Sequence, residues 1–185
     1  MRLFLAIELP PKVKVELEKQ IQDIRREYAN YNWIPKENFH ITLLFFGDIE
    51  SKEEVERLKN KIEAAIYDVN SFIMYSYGAD LFINNKILLY IYFRREKIIE
   101  ELVTKIKNNL QIEDQVKFVP HLSIARTRVP SKQQYLHLKK KLQKLNIDID
   151  FAVTKIHLFQ SILEGQKPIY KKISSFPLLI PLRSH

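Results

Sequence analysis

His40 and Thr42 stand two residues apart within Trp33–Gly47, WIPKENFHITLLFFG, and His121 and Ser123 stand two apart within Pro120–Arg126, PHLSIAR. In an extended strand, residues two apart share a face at a separation of about 7 Å, while Ile41, Leu43, Leu122 and Ile124 turn to the opposite face. Each strand therefore offers an imidazole and a hydroxyl side by side above an apolar underside. Two imidazoles suit paired acid–base work near neutral pH, in which a neutral ring takes a proton from a nucleophile and a charged ring gives one to a departing oxygen. In-line displacement at phosphorus needs that division of labour. Thr42 and Ser123 are placed to donate to non-bridging phosphoryl oxygens. Neither hydroxyl sits in a nucleophile-elbow turn or beside an orienting carboxylate, which argues against a serine nucleophile. There is no Cys, and no His pair has the spacing of a metal-binding helix, so a metal centre is a minor reading. One His-x-Thr/Ser match is weak; its recurrence carries the specificity. His137 and His157 lack such a frame and read as structural, and His185 is the chain end.

Those strands need a scaffold, and the periodicity supplies one. Arg2 to Glu8 alternates as a strand, and Pro10-Pro11 opens a helix running to about Tyr28 with Val13, Leu17, Ile21 and Ile24 on one face. After the link Ala29–Asn38 and the first His strand, Ser51 and Glu54 predict a capping box, with Val55, Leu58, Ile62, Ala65 and Val69 as the buried side of a second helix. Ser71–Tyr77 reads as a strand, Gly78 and Asn84-Asn85 as the turn, and Lys86–Phe93 as the next strand. A helix follows on Ile98, Leu102, Ile106 and Leu110, then the second His strand and a Lys-rich helix over Ser131–Lys144. Strands near Asp148–Phe159 and Ile169–Phe176 close the chain, and the tail from Pro177 is unassigned. Strand, helix, His strand, helix, strand thus occurs twice. That is the pattern of a duplicated two-lobe fold within one domain, residues 1–185, with no linker.

The apolar fraction of 46% argues against disorder, and no apolar run approaches the eighteen or so residues of a membrane span. With no leader pattern and no Cys, a cytoplasmic, monomeric protein is the expectation. A formal charge of +8 favours acidic partners, nucleic acid or phosphorylated metabolites first.

The two His segments resemble the paired motifs of the two-histidine phosphoesterase superfamily, in particular its RNA 2',3'-cyclic phosphodiesterase branch, historically called 2'-5' RNA ligases. RLFLAIELP at the start, and Leu158–Leu163 followed by Tyr170, are similar to that branch too, so the likeness spans nearly the whole chain. The resemblance implies an α+β fold, two lobes of antiparallel sheets flanked by helices around a central cleft, with neither metal nor cofactor. It implies opening of a terminal 2',3'-cyclic phosphate of RNA to a 2'-phosphate, tRNA halves among the substrates, with weak reversible 2'-5' joining. Carried onto this chain, His40 is the proton donor to the departing 3' oxygen and His121 the proton acceptor that activates water. Thr42 and Ser123 hold the phosphate, Ser123 standing where threonine is usual, and Arg126 matches a phosphate clamp. Arg126 and Phe45 each lie five residues after their His, so a regular strand turns both away from the cleft. A bulge or strand end in each repeat would re-aim them as a guanidinium and a base-stacking ring. Gly78–Tyr90 departs from the glycine- and proline-rich pattern of that branch. A catalytically silent RNA-binding protein, and a phosphodiesterase acting on 2'-5' oligonucleotides or small cyclic phosphates, are the alternatives.

Overall fold

Alternating apolar residues run as strands and those spaced by three and four as helices in the computed structural model of the chain, which describes residues 1–113, 117–164 and 167–180. The first half comprises β1 (Arg2–Glu8), α1 (Pro11–Gln20), α2 (Gln22–Glu27), β2 (Asn32–Trp33), a 3-10 turn (Lys36–Asn38), β3 (His40–Asp48), α3 (Lys52–Ile66) and β4 (Phe72–Asn84). The second comprises β5 (Lys86–Phe93), α4 (Lys97–Leu110), β6 (His121–Thr127), α5 (Lys132–Gln143), β7 (Asp150–Val153), β8 (Lys155–Glu164) and β9 (Lys167–Pro177). His185 and the rest of the tail beyond Ile180 lie outside the described residues.

The fold is α+β, with two antiparallel sheets ordered β3-β1-β8-β9 and β2-β6-β5-β4-β7. Laid side by side, β3-β1-β8-β9 corresponds to β6-β5-β4-β7, each His strand pairing with the strand that opens its own repeat. The third strand is exchanged. β4 follows α3 in the first half yet joins the second sheet, and β8, which follows α5 and the short β7, joins the first. One buried cluster results, drawing Leu5, Ile7 and Ile41 from the first sheet and Leu89, Ile91 and Leu122 from the second, with Leu17, Ile62, Leu102 and Leu138 from the helices. Each such side chain contributes about 1.5–3 kcal/mol by leaving water, and the exchange makes that gain common to both halves.

Several local expectations are corrected. The helix from Pro11 is two helices, broken at Ile21, which leaves helical geometry at φ −96°, ψ 1°. Ser51 does cap α3 by accepting from the Glu54 amide at 3.1 Å, but the reciprocal box belongs to Ser131 and Gln134 at the start of α5. Gly78 is not a turn residue: β4 continues through it with a register shift against β5 between Ser76 and Gly78, and a Cβ there would lie 2.7 Å from the Tyr92 hydroxyl, so the glycine admits that ring. The turn is at Asn84-Asn85, where Asn85 has φ 21°. The strand expected over Asp148–Phe159 divides at Thr154, because β7 pairs with β4 in the second sheet and β8 with β1 in the first. Among the described residues no helix is long and apolar enough to cross a membrane.

Candidate active site

β3 and β6 bury their residues in the same order: a half-buried His, a buried Ile or Leu, a half-buried Thr or Ser, two consecutive buried residues, an exposed residue and a half-buried one. The consecutive pair, Leu43-Leu44 in β3 and Ile124-Ala125 in β6, breaks the period of two because each strand bulges there. Ala6 of β1 pairs with Thr42 and Leu5 with Leu44, leaving Leu43 over; Tyr90 of β5 pairs with Ser123 and Leu89 with Ala125, leaving Ile124 over. An extra residue shifts the phase by one, so the fifth residue after each His returns to the His face. Phe45 is accordingly 73% exposed, not core, and Arg126 is exposed at the matching position of β6.

Both imidazoles are tied to the chain in the same way. His40 Nδ1 donates to the Asn38 carbonyl at 2.7 Å, and His121 Nδ1 donates to the Val119 carbonyl at 2.8 Å. A carbonyl can only accept, so the neutral rings carry their proton on Nδ1 and keep Nε2 as the basic atom. His40 Nε2 meets the Thr42 hydroxyl at 3.1 Å. That contact joins the first frame's two functional groups.

The surroundings then diverge. Phe4 and Tyr170 lie 5.1 Å from the His40 ring, and Phe4, Ala6, Phe159 and Tyr170 form an apolar cluster apart from the main core. Burial pushes His40 down to about 4; its bond to Asn38 opposes this, while the charges of Lys14, His121 and Arg126 reinforce it. The second His strand is thus within electrostatic reach of the first, and β3 and β6 bring Cα atoms within 8 Å of one another. Arg126 also acts on Tyr170, whose hydroxyl burial pushes up and the guanidinium pulls back. His121 meets ring edges instead, with Tyr90 at 5.8 Å and Phe82 at 6.3 Å. Ser123 is half-buried on the His121 face.

Beside His40 is a small pocket of about 130 Å³ lined by Glu8, Asn38, Tyr170 and Lys172. Glu8 pairs with His40 across the β1–β3 ladder and takes Lys14 at 3.1 Å and Lys172 at 2.6 Å. Burial disfavours its charge, but the two ammonium groups outweigh that and hold its carboxyl below the usual range. A groove of about 900 Å³ opens on the other side, past Asn38 and Tyr170, along Trp33, Lys86 and Arg126. Among the described residues no three His, Cys, Asp or Glu side chains gather as a metal site. The donors assembled are imidazoles, hydroxyls and a guanidinium.

Of the other histidines, His157 is buried on β8, shares 2.8 Å with the Ser175 hydroxyl and is pushed down to about 4 by burial. His137 lies exposed on α5. Sequence reasoning missed the part played by Phe4 and Glu8. Their signal was present: in β1, Phe4, Ala6 and Glu8 share the face opposite Leu3, Leu5 and Ile7, and register sets that face beside Phe45, Thr42 and His40.

The profile of the 2'-5' RNA ligase superfamily matches residues 13–162 of the chain. The chain is 28% identical to a protein of Methanocaldococcus jannaschii named RNA 2',3'-cyclic phosphodiesterase, over 95% of this chain and 100% of that one. A Thermotoga maritima protein of the same name is 27% identical over 92% of each chain. The crystal structure of E. coli LigT complexed with 3'-AMP superposes with a TM-score of 0.76 at 18% identity, covering 96% of this chain and 97% of that one. That likeness concerns the fold.

Proposed function

The chain belongs to the 2'-5' RNA ligase superfamily, and from that footing we propose that it is an RNA 2',3'-cyclic phosphodiesterase whose two histidines open the cyclic phosphate to a 2'-phosphate. The observation that carries the reading is the repeated frame: two bulged strands, each holding its imidazole by Nδ1 to a carbonyl and so keeping Nε2 as the basic atom, which in His40 meets the Thr42 hydroxyl. In the reaction, His121 Nε2 takes a proton from water as the oxygen attacks phosphorus, and the 3' oxygen leaves with a proton from His40 Nε2. The ring bond breaks, the 2' bond stays, and the two histidines exchange states. Thr42 and Ser123 donate to the non-bridging oxygens, Arg126 neutralises the growing charge, and Phe45 stacks on the terminal base.

His40 has to be charged for this role, and in the empty site burial keeps it neutral at pH 7. The substrate supplies the opposing charge. A phosphodiester anion about 4 Å away stabilises the imidazolium by about 4 kcal/mol at an effective dielectric of about 20. At about 1.4 kcal/mol per unit, that raises the ring by about three units, into the neutral range. The proton donor is armed by the anion it acts on, and joining with weak reversibility follows when a 5' hydroxyl replaces water.

Incubation with a nucleoside 2',3'-cyclic phosphate in EDTA tests the reading, with 2'-nucleotide as the expected product. Turnover that depends on added metal sinks the two-histidine mechanism. A 3'-nucleotide product reverses the assignment of the leaving oxygen. Tight RNA binding without turnover makes the protein a silent binder, and turnover confined to a 2'-5' oligonucleotide or another small cyclic phosphate keeps the chemistry while changing the substrate.

A further inference from the structure

A 2',3'-cyclic phosphate closes the 3' end of an RNA, so everything else of the strand lies on its 5' side and must leave the cleft by one route. The pocket beside His40, about 130 Å³ and bounded by Phe4, Phe159 and Lys172, is too small to hold successive nucleotides. The groove on the Arg126 side is not. Of about 900 Å³, it shares Tyr31 and Asn32 with a second hollow of about 730 Å³ that continues past Thr127 and Arg128 to His137 on α5. The two form one trough along β2 and the outer end of β6, where Asn32 pairs with Arg126 and Trp33 with Ala125.

The lining of that trough is suited to single-stranded RNA. Its cations are Arg25, Arg26, Lys86 and Arg126 in the first part and Arg128 in the second; its one carboxylate, Glu18, is bonded to Arg25. Aromatic rings interleave with the charges. Trp33 is fixed by donating Nε1 to the Tyr28 carbonyl at 2.8 Å and lies under the Arg25 guanidinium at 6.0 Å, and Tyr31 meets Tyr28 at 5.0 Å. Cations tracking a backbone, with rings for successive bases between them, are what binding of a single strand without sequence preference requires. A protein partner would meet five cations with one neutralised acid between them.

We propose that this trough carries the nucleotides upstream of the cyclic phosphate, so that an oligoribonucleotide is bound more tightly than a mononucleotide opened by the same His pair. The inference rests on the reading of the His pair as an RNA phosphodiester site. The strand runs from the phosphate at Arg126 over Trp33 and Tyr31 toward Arg128, and the gain from length is electrostatic and in binding.

Two measurements test it. First, kcat/KM is compared for a nucleoside 2',3'-cyclic phosphate and for a tetraribonucleotide with the same end, at low and moderate salt. The tetranucleotide is expected to be at least about tenfold better, mostly through KM, with the advantage shrinking as salt rises. The doubly substituted Arg26→Glu, Arg128→Glu protein should lose that advantage and keep the mononucleotide rate. Equal efficiency on both substrates, or an advantage that survives the double substitution, overturns the trough. Second, fluorescence anisotropy follows binding of a labelled tetranucleotide ending in a 2'-phosphate. If neither substrate turns over but the double substitution still abolishes binding, the proposed reaction fails and the trough stands. Binding indifferent to the substitution, in a variant with an unchanged melting temperature, removes the trough whatever the reaction.

Discussion

β3 and β6 share a burial order, a bulge at the fourth residue and a carbonyl bond to Nδ1, yet their histidines live in different surroundings. His40 is enclosed by Phe4 and Tyr170, joined to Thr42 at 3.1 Å and pushed down to about 4. His121 has the edges of Tyr90 and Phe82 instead. Beyond the bulge, one strand presents a ring and the other a guanidinium. The backbone repeats a geometry, the side chains give its two copies different surroundings, and the proposed mechanism assigns them different work. That division fails first if either histidine proves dispensable. His40→Ala and His121→Ala should each lower kcat about a hundred- to ten-thousand-fold in proteins whose melting is close to the parent's. Near-normal turnover by either one would leave a single-histidine enzyme and no paired roles.

The next contrast is electrostatic. By NMR the His40 ring of the free protein should titrate near 4, because burial, Lys14, His121 and Arg126 all disfavour its charge. Saturation with a 2'-nucleotide should raise that midpoint by about three units, a thousandfold change in the protonated fraction at pH 7. The sign follows from the role. As donor, His40 must be charged while His121 must be neutral, so kcat/KM follows the singly protonated pair and should be bell-shaped whichever ring carries the proton. A His40 midpoint that stays near 4 at saturation would leave the ring neutral at pH 7 and exchange the two roles.

The proposed clamp, Arg126, is the third difference. A charge-assisted hydrogen bond is worth about 1.5–3 kcal/mol, so Arg126→Ala should cost roughly ten- to a hundredfold in kcat/KM, with Arg126→Lys recovering part of it as a point charge without the fork. An unchanged kcat/KM in Arg126→Ala, measured beside the parent, would mean that the bulge in β6 aims the guanidinium at solvent alone.

What the sequence disclosed about this pair, and what it hid, follow from the range of the interactions involved. His40, Thr42, His121 and Ser123 were legible because strand alternation is local, and the repeat was legible because it is a spacing. The need for a bulge was legible too, from the parity of Phe45 and Arg126. Its site was not, since Leu43 and Ile124 are bulged by register against β1 and β5, which the strands' own residues do not express. Gly78 was misread as a turn because the ring that demands a glycine there, Tyr92, comes from the neighbouring strand. The break at Thr154 was hidden for the same reason: one apolar run serves two sheets, and only the exchange of β4 and β8 shows where it must divide. Glu8 and Lys14, six residues apart across the β1–α1 junction, meet Lys172 of β9 beside His40, and no spacing rule reaches that distant third residue.

Phe45 offers the smallest effect and the finest cut. At 73% exposure, with Phe4 its one ring neighbour among the described residues at 6.1 Å, it contributes little to the core, so Phe45→Ala should leave the melting temperature nearly unchanged. Stacking on a base is worth about 1–3 kcal/mol, and a ring held on one side only falls at the low end. KM for a nucleoside 2',3'-cyclic phosphate should rise about fivefold to tenfold with kcat retained, since stacking holds substrate and transition state alike. Phe45→Trp should restore affinity or improve it. A fall in kcat with KM intact would put the ring against the reacting phosphate, and a large drop in melting temperature would return Phe45 to the core. Either result would make the two bulges alike in backbone and unrelated in purpose.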